Sequence, residues 1–356
     1  MKEHSILART RSRAWLKIAL LVLLPLGLAL AIRERASWRP RVMPGARANV
    51  FQVAFSPDGK YLAVAAQSSE PPKIFPDGHA DASRKFDDGV DVWDAQGRTS
   101  LRKFRLPGQS LGSIAFSPDG HELAGLASWP EGDGQQHAGG HNTVKVWDVG
   151  TGKLKRSLPV EHAYSHHLYW TGDTFTFTKG QYVTQWDAHT GKHLRTIEDT
   201  FSGPSGAPVS PDGTLIATRL AGVELRQVGS GKLRRTLLKS STLFANQLTF
   251  SRDGSLLVGC LGDVDTSTIK LWDTGSGAPK QTLRRSTSPR ALALSPDNST
   301  LATADEDNVI RLWNVADGTL PRTLAHSPAH TLAFSPDGST LASGSGNGTF
   351  TLWRIK

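Results

Sequence analysis

Histidine and cysteine are the residues of this 356-residue chain best suited to metal or nucleophilic chemistry, and six of the twelve histidines cluster: His79, His137, His141, His162, His166 and His167. A zinc site needs three or four ligands held at roughly 2.0–2.3 Å. His137 and His141 would share one face of a helix, and His162 in the following connector is the candidate third ligand. Between the first two, however, lie Ala138, Gly139 and Gly140, and each glycine costs a helix about 1 kcal/mol relative to alanine. A metal would have to order that loop by itself, so neither a metal nor a cofactor is expected. Cys260, the sole cysteine, sits in the apolar run LLVGC and reads as a small core residue. No nucleophile stands beside a base in a recognisable motif, and no HExxH is present. GTGKL (150–154) and GSGKL (229–233) lack the upstream glycine and following Ser/Thr of a phosphate loop. The expectation is a non-enzyme, with an exported enzyme or metal-binding protein that uses these histidine-rich loops as the alternative.

The elements around these residues repeat. An apolar-x-Phe-Ser-Pro-Asp-Gly phrase occurs at 53–59, 114–120 and 332–338, with variants PVSPDG (208–213), LTFSRDG (248–254) and LALSPDN (292–298). After each comes an apolar stretch, a polar turn and an alternating strand ending on Trp93, Trp147, Trp186, Trp272, Trp313 or Trp353. Arg226 in VELRQV takes the tryptophan position of one further unit, so successive spacings are 54, 39, 40, 46, 41 and 40. Seven units of about forty residues, punctuated by 35 glycines and 20 prolines, predict an all-β propeller array.

The recurring turn, strand and Trp-Asp resemble WD40 repeats from about residue 39 to the C-terminus. The resemblance implies a seven-bladed propeller whose blades each run d, a, b, c, with strand a before the SPDG turn and strand c ending at tryptophan. It also implies a His, Ser/Thr, Asp, Trp hydrogen-bond set per blade, best matched by His326, Ser343, Asn347 and Trp353. Blade six offers Thr303, Asp307 and Trp313 without the histidine, blade three has TGDT in place of SPDG, and blade four lacks tryptophan.

Because the chain ends three residues after Trp353, blade seven lacks its outer strand, and residues 39–43 are predicted to supply it. Pro40 and Pro44 suit an edge strand whose N–H faces solvent. Two b-to-c turns are enlarged, at 67–89 in blade one and 127–142 in blade two. They share one end of the array with the connector VEHAYSHH (160–167). Insertions on one face of a repeat array are often binding loops. The candidate protein- or peptide-binding residues there are Phe75, His79, Asp87, Asp88, Trp129, Glu131, Asp133, His137, His141, His166 and His167. Lys/Arg-rich outer strands such as LRKFRL and LRRTLL read as protection against edge-to-edge pairing.

The net charge of +9 is concentrated at one end: residues 1–47 hold ten Lys/Arg and two acids (+8), residues 48–356 hold 31 and 30 (+1). A nearly neutral repeat region lacks the clustered cations that grip a phosphate backbone, so nucleic acid is not an expected partner. The basic N-terminus divides into a tail (1–13), an apolar segment (14–32) and a linker (33–38). With Lys17 snorkelling, 14–32 as helix spans roughly 28 Å, close to the ~30 Å bilayer core, which predicts a single-pass membrane anchor with the propeller on the exported side. Ala29-Leu30-Ala31 also fits a signal-peptidase site, leaving a secreted or periplasmic form beginning at Ile32 as the alternative.

Overall fold

The computed structural model describes residues 40–44, 49–67, 88–128, 142–160, 167–179, 182–198, 207–219, 222–240, 244–262, 267–285, 289–324 and 328–356. The apolar segment 14–32 lies outside them, and among the described residues no helix is long and apolar enough to cross a membrane. Those residues form strands and turns arranged in seven antiparallel sheets. Blade one is typical: Asn49–Phe55, Tyr61–Gln67, Gly89–Asp94 and Ser100–Arg105 follow one another from inner to outer edge. Blade four departs, with Leu215–Thr218, Gly222–Gln227 and Leu233–Lys239 joined on the inner side by a single bridge from Val209 to Ile216. In blade seven the strand Arg41–Pro44 takes the outer place beside Thr349–Arg354, so the N-terminal part of the chain completes the sheet begun by its C-terminal part.

The reason these sheets stack is visible in blade one's second strand. Leu62, Val64 and Ala66 join an apolar cluster with Phe350 and Leu352 of blade seven, whereas Ala63 and Ala65 join one with Leu111, Ile114 and Trp147 of blade two. A strand with period-two alternation and apolar residues on both faces needs a neighbour on each side. Seven such clusters occupy the seven blade interfaces, each fully buried leucine or valine contributing about 1.5–3 kcal/mol. Met43 packs against the blade seven/blade one cluster, which ties the closing strand to the core.

The SPDG turns carry their own chemistry. In the first, the Ser56 hydroxyl donates to Asp58 Oδ1 at 2.6 Å and accepts from Tyr61 N–H at 2.9 Å, and Lys60 N–H donates to the same carboxylate at 3.1 Å. Gly59 sits at φ 74°, where a side chain is strained. The same serine–aspartate contact recurs at Ser117–Asp119, Ser210–Asp212, Ser251–Asp253, Ser295–Asp297 and Ser335–Asp337. Successive turns abut around the ring: a Cβ on Gly59 would lie 3.7 Å from Pro336, one on Gly254 3.6 Å from Pro211, and one on Gly338 3.4 Å from Pro296.

Candidate functional site

Both insertions leave the fold from a shared hydrogen-bonded node. Gln67, just before the first, donates its amide to the Leu111 carbonyl at 3.0 Å, and Asp88, just after it, accepts from Leu111 N–H at 2.9 Å. Beside Leu111, Ser110 Oγ meets Ser128 Oγ at 2.6 Å, and Ser128 is the foot of the second insertion. Asn142, the other foot, is buried. The first two residues of blade two's inner strand therefore hold three of the four feet.

This arrangement corrects the expectation for Asp88. It is 1 % exposed, and its carboxylate is committed to a backbone donor, so it is framework and not a rim charge. His167 also differs: it opens the inner strand of blade three, pairs with Thr178, and lines the central cavity with Tyr169. Phe75, His79, Asp87, Trp129, Glu131, Asp133, His137, His141, His162, His166 and His326 lie outside the described residues. Among the described residues no group of three His, Cys, Asp or Glu side chains could hold a metal.

The inner strands enclose a cavity of about 540 Å³. A belt of polar contacts joins strand to strand around it. Val53 N–H donates to Thr331 Oγ1 (3.3 Å) and Ile114 N–H to Gln52 Oε1 (2.9 Å); Gln52 Nε2 returns to Ile114 O (3.0 Å). Leu168 N–H donates to Ser113 Oγ (3.1 Å), Arg219 Nη1 to Ala245 O (2.8 Å), and the Gln247 amide to Arg290 O. Burial raises the Tyr169 phenol far above its usual range and lowers the Arg219 guanidinium. In five inner strands the ladder slips by one residue, leaving Phe51, Gly112, Asn246, Arg290 and His330 as bulges, each five positions ahead of the turn serine. Sequence reasoning missed this ring; the fixed distance to SPDG is the signal that would have located it.

Three stretches, 39–70, 277–314 and 318–354, match the family model described as WD domain, G-beta repeat, and the seven blades supply the architecture. The chain is a WD40-repeat β-propeller. Such WD40 propellers are generally interaction scaffolds without catalysis. Autophagy-related protein 16 of Arabidopsis thaliana is 27 % identical over 166 residues, 46 % of this chain and 32 % of that protein. Centriole proteome protein 16 of Chlamydomonas reinhardtii is 25 % identical over 197 residues, 51 % of this chain and 9 % of that protein. The WD40 chain thus matches about a third or less of the length of these relatives. A chain in the solved structure titled Crystal Structure of Mitotic Checkpoint Complex shares the fold, with a TM-score of 0.66 at 18 % identity over 88 % of this chain and 91 % of that one.

The tryptophans that end the third strands of this WD40 propeller are framework. Trp353 Nε1 donates to Ser343 Oγ at 2.9 Å and Trp313 Nε1 to Thr303 Oγ1 at 3.2 Å. Asn347 instead accepts from the Thr349 N–H and hydroxyl within its turn, and Asp307 pairs with Arg311 at 2.6 Å. Where blades two and five place Gly125 and Gly259, a Cβ would come within 2.9 Å of Trp147 and Trp272; there the position that carries Ser343 and Thr303 in other blades has no hydroxyl to offer the ring. Trp93 and Trp186 pack at blade interfaces with Phe350 and His193 against their rings.

Proposed function

We propose that this WD40 propeller is a non-catalytic scaffold that binds protein or peptide partners on the rim of blades one to three. The observation supporting it is the node at Leu111: two enlarged loops in adjacent blades rise from feet fixed to one strand, beside the His167 end of the third blade. Feet held this way give long loops defined starting positions, which lessens the ordering cost of engaging a partner. Phe75 and Trp129 are the aromatic anchors of this reading and Asp87, Glu131 and Asp133 its charges. Affinity capture with the full chain, and with 68–87 and 129–141 each replaced by a short turn, tests it. Loss of the captured partners in the shortened variants is expected; unchanged recovery refutes it.

The proposal includes a tether through residues 14–32, with the propeller on the exported side of the membrane. The uncharged run from Ile18 to Ile32 supports it. The chain should then sediment with membranes and resist carbonate extraction. A second reading, a soluble secreted or periplasmic form, is favoured by Ala29-Leu30-Ala31; N-terminal sequencing of the mature protein beginning at Ile32 would establish it in place of the tether.

A further inference from the structure

We propose that the central cavity is a binding site for a small organic acid or phosphate, gripped by Arg290 and His330. A bulge leaves its extra residue outside the ladder and re-aims that side chain. Of the five bulge residues, Phe51, Gly112, Arg290 and His330 line the cavity. Blades six and seven are neighbours, so the Arg290 guanidinium and the His330 imidazole, a neutral hydrogen-bonding group, are adjacent. Burial and the nearby Arg290 charge hold the His330 imidazole below its usual range, a sign that the two groups share one electrostatic environment.

The surrounding wall has the same sign. Arg219 and Arg252 also line the cavity, and none of its described lining residues is Asp or Glu. Of the carboxylates at the end of the blade-six strand paired with the bulge, Asp305 and Asp307 are engaged by Arg311, and Glu306 between them is exposed to solvent. Arg219 and Arg252 direct donors at backbone carbonyls, Arg252 reaching Pro57 O at 3.0 Å from blade five to blade one. These two are framework that adds positive potential. Arg290 is exposed and meets Asn308 Oδ1 at 3.5 Å, the limit of a hydrogen bond, so its fork can turn to a ligand. A planar guanidinium matches carboxylate and phosphate oxygens in pairs, and the Thr249 and Thr331 hydroxyls lie along the same wall. The volume of about 540 Å³ lies within the roughly 300–1,000 Å³ of small-molecule sites.

The bland alternative is that the cations only balance the carbonyl-rich inner edges. Calorimetric titration of the full chain separates the two, with citrate and pyrophosphate as probes and a glutamate-rich hexapeptide as a third arm. Saturable binding of citrate or pyrophosphate is expected, weakened by roughly tenfold in Arg290→Gln and in His330→Gln, and unchanged in the outer-turn control Lys192→Gln. Absence of saturable binding overturns the proposal, as does equal binding by the Arg290 and His330 variants. Binding of the peptide alone overturns it too, since the anion would then belong to a polypeptide. To guard against misfolded variants, the His330 ring resonances of the unaltered protein should shift on saturation with the bound probe; no shift also overturns it. The chain with both insertions shortened should bind the probe as before, which keeps this result independent of the rim reading.

Discussion

Arginines on the outer strands show how a local side chain holds the ring. Arg195 Nη1 donates to Gly229 O at 2.8 Å, Arg235 Nη2 to Gly275 O at 2.7 Å, and Arg102 to Gly150 O; each crosses from one blade to the c-to-d turn of the next. The glycine two residues on is packed under the arginine stem: a Cβ on Gly277 would lie 2.3 Å from Arg235 Cδ. The cationic outer strands read from sequence as edge protection thus also staple neighbours. Arg235→Ala is expected to lower the unfolding free energy by about 1 kcal/mol in urea denaturation. Ser343→Ala should cost more, about 1–3 kcal/mol, because it strands the buried Trp353 N–H. The turn aspartates set the acid limit. Burial pushes the Asp58 carboxyl up, but hydrogen bonds from Ser56 and the Lys60 N–H outweigh it and bring the pKa from 3.8 to about 2. Asp119 and Asp337 are lowered chiefly by Ser117 and Ser335. A depressed carboxyl adds stability above its unfolded pKa that is lost as pH falls through the folded one. Acid titration followed by tryptophan fluorescence should therefore show stability declining from about pH 4 to pH 2, and Ser56→Ala should bring the decline to higher pH.

At the scale of elements, the closing strand makes the sharpest prediction. Removing residues 40–44 takes away Met43 and the outer partner of Thr349–Arg354, so thermal unfolding should move down by many degrees; an unchanged melt would contradict the closure. The outer strand of blade seven was legible because RPRVMP, with prolines that suit an edge strand, stands just ahead of the first blade. Blade number and turn positions were legible too: SPDG and tryptophan recur at steady phase, and each turn's hydrogen bonds are local. What escaped the sequence was set by contacts between units. Asp88 looked like a loop charge because the Leu111 N–H it satisfies is 23 positions away. No residue type marks Arg290 and His330 as bulges, because a bulge changes register without changing composition. Blade four could be counted although Arg226 replaces tryptophan; its guanidinium binds Glu224 at 2.9 Å and the Gly231 carbonyl at 3.1 Å instead.

Across the whole molecule, the ring's stability is distributed over seven apolar interfaces, and, besides the reduced blade four, two departures from repetition lie near the seam between the last blade and the first. The enlarged loops belong to blades one and two, and the Arg290 and His330 bulges to blades six and seven, which meet blade one through the closing seam. Shortening 68–87 should leave the fold intact, since Gln67 and Asp88 remain to hold Leu111; circular dichroism and the melting temperature should match the full chain. The seam itself has a mechanical meaning. The strand Arg41–Pro44 is both the outer edge of blade seven and the link to everything that precedes it. A pull on the N-terminal segment loads that short strand before any other, and its detachment would open the ring between the last blade and the first. In a force experiment this propeller should fail in one place, at an extension set by where the pull is applied and not by which blade is intrinsically weakest.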